Sequence, residues 1–144
     1  MIAIVCSEFN SKVTDGLLKG CLLALDKDGV SSEKIDIYKV PGAFELPGKV
    51  KLLTRGDTSY DAIITLGCVI KGETDHYHYI SQAVTDGIMS LTIGLGSDYP
   101  KIIFGVLTCQ SKELAIARSD SNMDKNKGYE AGKAALNMIS TKKD

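Results

Sequence analysis

Short unbroken apolar runs alternate along this chain with longer stretches in which apolar residues recur every three or four positions. The first run, "IAIVC", spans residues 2–6. A run so short, with no polar side, predicts a strand covered on both faces, as in a parallel sheet. Asn10 and Ser11 then offer caps for a helix in which Leu18, Leu22 and Leu25 fall at helical spacing, with Leu17 and Cys21 beside them. Gly29 closes that helix. Residues 35–40, "IDIYKV", alternate and predict a second strand. "PGAFELP" follows; Pro41 bars a direct passage from strand to helix, and a helix bearing Val50, Leu52 and Leu53 then runs to Gly56. "DAIITLGCVI", residues 61–70, is the strongest strand signal. A helix from about Asp75 to Gly94, a strand "KIIFGVLTC" at 101–109, a short helix at 111–119 with Ser111 as N-cap, and a last helix at about 129–141 complete the pattern. Between the last two helices, "DKNKG" (124–128) reads as a solvated loop, and the terminal "TKKD" reads as frayed.

The order is βαβαβαβαα, and every step between strands is long enough for a helical crossover. This predicts an α/β fold: a three-layer sandwich in which a four-stranded parallel sheet carries helices on both faces. No linker, repeat or low-complexity segment divides the chain, so residues 1–144 are expected to form a single domain. Such sheets bind ligands past the carboxyl ends of their strands, where the strand order reverses. With the order 2-1-3-4, that crevice lies between the first and third strands, at "SEFN" (7–10) and "KGETDH" (71–76).

Composition narrows the partners. The chain has 144 residues, 44% of them hydrophobic and 24% charged, enough for a core without disulfides or metal. Its net charge of -1 sets up no field for nucleic acid or an anionic membrane. Trp is absent and aromatics do not interleave with basic residues, so single-strand binding has no support. No apolar run is long enough to span a membrane, and the N-terminus lacks the basic start of a signal peptide. Cys6, Cys21, Cys68 and Cys109 stand singly among apolar neighbours, as buried thiols do in a reducing compartment. A cytoplasmic protein is expected.

The only two histidines, His76 and His78, follow the strongest strand in "GCVIKGETDHYHYI". On an extended chain both rings would share a face and hold one metal ion. On a helix, positions two apart point about 200° from each other. Gly72 before the pair, and Ile80, Val84, Ile88 and Leu91 after it, favour the helix. One histidine then faces the crevice, as a proton carrier or as a merely structural group, and no metal site is expected. The helix start "GETDH" offers N–H groups to an anion such as phosphate, without a dinucleotide or P-loop signature. Phe9 stacks on a flat ring or packs under its loop. Glu45 and Arg118 each also suit a helix end by charge alone. The residues by themselves reach a crevice for a flat, phosphorylated or polyhydroxylated ligand.

Together, "FN" with "TDGLL", then "VPGAFELP", "DAIITLGCVIKGETDHYHYI", "IIFGVLT", "AIARS" and "NKG" resemble the lumazine synthase family over nearly the whole chain. The resemblance implies a flavodoxin-like fold and a transferase of riboflavin biosynthesis. That enzyme joins 5-amino-6-(D-ribitylamino)uracil to 3,4-dihydroxy-2-butanone 4-phosphate, giving 6,7-dimethyl-8-ribityllumazine, phosphate and water, with no cofactor or metal. By the same resemblance, His76 is the catalytic histidine and Phe9 stacks on the pyrimidine. Glu45 takes the ribityl hydroxyls, and the backbone of Ala43, Phe44, Cys68, Val69 and Ile70 lines the slot. Glu73 and Thr74 supply the helix start that meets phosphate, with Arg118 and Lys127 as its cations. Phe104 and Arg118 reach the crevice of a neighbouring subunit, so a homopentamer with shared sites is implied. The family's N-terminal arm is not seen before the first strand. The turn "SDSNMDKNKG" is a residue longer than in shell-forming members; a pentamer, single or paired face to face, is therefore expected rather than a 60-subunit shell. A metal-dependent hydrolase using "HYH" and a non-catalytic lumazine- or flavin-binding module are the competing readings.

Overall fold

A computed structural model describes residues 1–140; the fraying expected for "TKKD" lies outside the described residues. The apolar runs form four strands, β1 (Ile2–Ser7), β2 (Ile35–Val40), β3 (Ala62–Ile70) and β4 (Lys101–Cys109). All pairings are parallel and the order is β2-β1-β3-β4, with Ile2 opposite both Ile35 and Ala62. The expected sheet is therefore present. β1 lies inside it and is buried throughout, which is why its run contains no polar side. Alternate residues of β1 serve different cores: Ile2, Ile4 and Cys6 face one, Ala3 and Val5 the other.

Helices α1 (Ser11–Lys27), α4 (Lys112–Ala117) and α5 (Lys127–Ser140) cover the first face. Helices α2 (Leu46–Thr54) and α3 (His76–Gly94) cover the second. On α1, Val13, Leu17, Cys21 and Leu25 form the buried stripe at intervals of four. The helix ends where expected: Gly29 takes φ 81°, its N–H donates to the Asp26 carbonyl at 2.9 Å, and that of Val30 to the Leu25 carbonyl at 3.0 Å. Ser111 caps α4 by accepting from the Leu114 N–H at 3.3 Å.

Two expectations need correction. The segment 124–128 is not simply a solvated loop, because Asn126 and Gly128 are buried. Asn126 donates to the carbonyls of Gly16 (3.2 Å) and Asp120 (2.9 Å), and accepts from the Tyr129 N–H at 3.0 Å. That last bond is an N-cap, so α5 starts at Lys127, ahead of the expected position. A Cβ on Gly128 would collide with the backbone of Leu17, which fixes how closely α5 lies on α1. In β2, Asp36 and Tyr38 are half-buried, a point the alternation of the strand left open. The Tyr60 hydroxyl donates to Asp36 at 2.6 Å and lies 2.6 Å from the Tyr38 hydroxyl, while Lys49 sits 4.7 Å from the centre of the Tyr38 ring. Burial first, then the Asp36 bond, pushes the Tyr60 pKa far up and keeps it a donor. The second is that Asn10 does not cap α1 with its side chain; the amide is committed elsewhere, as described below.

Candidate active site

The cavity lies where the strand order reverses, past the carboxyl ends of β1, β2 and β3. It measures about 490 Å³. Three loops wall it. The first carries Phe9 and Asn10, the second Pro41 to Glu45, and the third begins with Cys68, Val69 and Ile70 and leads to His76 and Ile80 on α3.

The first two walls are zipped together. The N–H groups of Glu8 and Phe9 donate to the carbonyls of Val40 (2.8 Å) and Pro41 (2.9 Å), continuing the β1–β2 pairing past the strands. Across the cavity, the Asn10 amide donates to the Cys68 carbonyl at 3.4 Å. Residues Ala43–Glu45 form a single 3₁₀ turn, and α2 follows with Pro47 in its first turn, where a missing N–H costs nothing. That turn brings Glu45 back over Gly42: a Cβ there would lie 3.3 Å from the Glu45 carboxylate.

Phe9, Phe44 and Glu45 are exposed at the cavity, so neither ring is spent on the core. Cys68 contributes main chain only, since its thiol faces the α1 side of the sheet among apolar side chains. Burial, then the neighbouring Cys109, pushes that thiol up to about 12, so it is not a nucleophile at neutral pH.

At the start of α3, the N–H groups of His78 and Tyr79 donate to the Asp75 carbonyl at 3.0 and 3.3 Å. That of His76 donates to the Thr74 hydroxyl at 3.3 Å. The helical phase separates the histidines as expected. His76 lines the cavity, while His78 lines a separate depression with Tyr77, Ser81, Gln82, Thr85 and Thr108, its ring edge-on to Tyr77 at 5.1 Å. The two rings thus do not converge on one point. Glu73 and Thr74 stand exposed in the loop just before α3, beside the lining but not part of it.

Phe104, Arg118 and Lys127 stand outside the cavity of their own chain. Phe104 projects, partly exposed, from β4, the edge strand. Arg118 lies near enough to the Cys109 thiol, at the end of β4, to oppose the upward push of burial on it. The Lys127 N–H donates to the Arg118 carbonyl at 2.8 Å, and its ammonium pairs with Glu130 at 3.1 Å, so the two cations are neighbours. The lining also includes Pro41, Gly42 and Ile80, read from the sequence only as a turn and a helix face, and Asn10, placed in the crevice loop 7–10 but given no role there beyond a cap.

A family model describing 6,7-dimethyl-8-ribityllumazine synthase matches residues 1–143. The chain belongs to the lumazine synthase family. It is 46% identical over 140 residues to 6,7-dimethyl-8-ribityllumazine synthase 1 of Caulobacter vibrioides, across 97% of this chain and 88% of that protein. As a lumazine synthase family member it is a transferase of riboflavin biosynthesis. Among the described residues, no helix is long and apolar enough to cross a membrane.

Proposed function

We propose that the cavity between β1, β2 and β3 is where this chain condenses 5-amino-6-(D-ribitylamino)uracil with 3,4-dihydroxy-2-butanone 4-phosphate. The observation that carries this reading is the convergence of Phe9, Glu45 and His76 on one cavity. A flat heterocycle stacks on the exposed Phe9 ring. The N–H and C=O groups of Ala43, Phe44, Cys68, Val69 and Ile70 meet its polar edge, and the Glu45 carboxylate accepts from the ribityl hydroxyls. The exposed turn at Glu73 and Thr74 turns N–H groups toward the phosphate, whose remaining charge falls to Arg118 and Lys127.

In the reaction the 5-amino group attacks the ketone carbon, and the carbinolamine loses water to give an imine. Loss of the proton from the neighbouring carbinol carbon gives an enamine, which expels phosphate with its C–O electron pair. The resulting enol becomes a ketone, and the ribityl-bearing nitrogen attacks that carbonyl and expels a second water to close the ring. Each step moves a proton, and His76 is the titratable group positioned at the cavity to carry it. Holding the two substrates in register supplies much of the acceleration. No step calls for a cofactor or a metal ion.

The cation site is completed by a second copy. Arg118, Lys127 and Phe104 do not line the cavity of their own chain. The exposed Tyr79, Met89 and Ile93 on α3 offer an apolar surface for a neighbour. We infer a homopentameric ring, single or paired face to face, in which each crevice borrows these three residues. One sheet shared by both cores supports a single domain, and four unpaired cysteines support a reducing, cytoplasmic setting. Mixing the protein with both substrates and following lumazine fluorescence tests the assignment. Product formation dependent on both supports it; product binding without turnover would leave a binding module instead.

A further inference from the structure

We propose that Asn10 is a positioning residue: its side-chain amide ties the loop between β1 and α1 to the end of β3 and so holds Phe9 over the cavity. The proposal rests on the reading of this cavity as the substrate site. Asn10 has φ 62° and ψ 51°, and it is the only non-glycine residue with positive φ among the described residues. Few residue types adopt this left-handed conformation, and asparagine is among those that do so most readily. The conformation has a geometric result. The Asn10 carbonyl still starts α1, accepting from the Val13 and Thr14 N–H groups at 2.9 and 3.0 Å. Its amide is turned away from that helix and reaches across the sheet to the Cys68 carbonyl at 3.4 Å.

Phe9 therefore sits between two ties. Its own N–H is bonded to Pro41 on one side, and the next residue is bonded to Cys68 on the other. The Phe9 side chain is 71% exposed, so packing within its own chain does little to hold the ring. Within the chain, its orientation before the ligand arrives is set mainly by the backbone. A ring oriented in advance loses less freedom when a heterocycle stacks on it, and that saving appears as affinity.

The test uses 6,7-dimethyl-8-ribityllumazine, which carries no phosphate, as probe in fluorescence titrations of the native protein, Asn10→Gly and Asn10→Asp. Glycine accepts φ 62° and lacks the amide. Asn10→Gly is expected to bind about fivefold to tenfold more weakly, the size of one hydrogen bond. In the ligand-free variant the Glu8 and Phe9 amides should exchange with deuterium faster than in the native protein. Aspartate tolerates the same backbone, but its carboxylate only accepts and so repels the Cys68 carbonyl. Its affinity relative to native should recover as the pH falls from 7 toward the ordinary aspartate pKa of about 3.9, where the carboxyl takes up a proton and donates. Native-like exchange in Asn10→Gly overturns the proposal, whatever its affinity, since a loss of binding alone would mark a direct ligand contact. A relative affinity of Asn10→Asp that does not change with pH overturns it too. If the native protein fails to bind the probe, the site reading falls, while exchange in the ligand-free variants still decides the tie.

Discussion

Helices α1 and α3 are similar in length but differ in how far the chain completes them. Of the 17 residues of α1, seven are buried; of the 19 of α3, two are. The apolar stripe of α1 is covered by the sheet, and α5 lies so close beside it on the same face that Gly128 has no room for a methyl group. Of α3 only Val84 and Ile88 are fully buried, with Tyr77, Ile80 and Leu91 partly buried against the same core, while Tyr79, Met89 and Ile93 remain 73%, 56% and 76% exposed. A surface helix of a finished domain turns its large apolar residues inward; α3 turns several outward. One face of the sheet is thus closed by its own chain. The other keeps large apolar side chains exposed, the surface we assign to a neighbouring copy, and the cavity opens on that side, at the first turn of α3.

Substitution at the closed face should have the largest effect. Gly128→Ala pushes a methyl group into the Leu17 backbone, which has no rotamer to change. We expect a loss of at least about 3 kcal/mol, at the upper end for overpacking, read as a lower urea midpoint. Stability within error of native would mean that α1 and α5 separate at little cost, and would undo the contrast.

Charges on the open face should act differently. The double variant Met89→Lys, Ile93→Lys should retain native circular dichroism but sediment near the 15.5 kDa of one chain. Turnover should vanish with the ring, because each crevice loses its borrowed arginine. An unchanged mass would show that this surface is not the contact.

At the start of α3 the same helix divides its own residues between cavity and surface. His76→Ala should lower kcat by about 10–100-fold, at or below the usual range for acid–base catalysis, with fold and assembly intact. His78→Ala should change it by less than about threefold, as expected of a surface substitution. The reverse ranking in steady-state kinetics would reassign the proton carrier.

What could be read from residues alone follows the same division. β1 and β3 were legible because strands buried on both faces tolerate no polar side, and α1 because its stripe repeats every four residues. The phase of His76 and His78 was legible because apolar positions further along α3 set it. Asn126 was not, since a polar residue among Asp, Lys and Gly carries no local sign that its amide will meet Gly16, far away in sequence. The inward-facing Asp36 and Tyr38 were missed for a related reason: alternation marks a strand but not which side faces water when a buried hydroxyl such as Tyr60 waits on the polar side. In the site, side-chain chemistry made Phe9 and the histidine pair candidates, whereas the choice of His76 and the role of Glu45 came from the family resemblance. The left-handed backbone of Asn10 was not legible, because several residue types precede helices and only the fold reveals which torsion the loop demands.

The interior position of β1 also bears on how the protein is made. β1, synthesised before both of its partners, pairs with β2 on one side and with β3 on the other, Ile2 lying opposite Ala62. No hairpin gives it a near neighbour. At about 5–20 residues per second, the β3 partner of Ile2 is synthesised roughly 3–12 s after it. Throughout that interval the most apolar edge of the nascent chain is unpaired, so the pace of translation, and not only the finished contacts, governs how long it is open to the wrong partner.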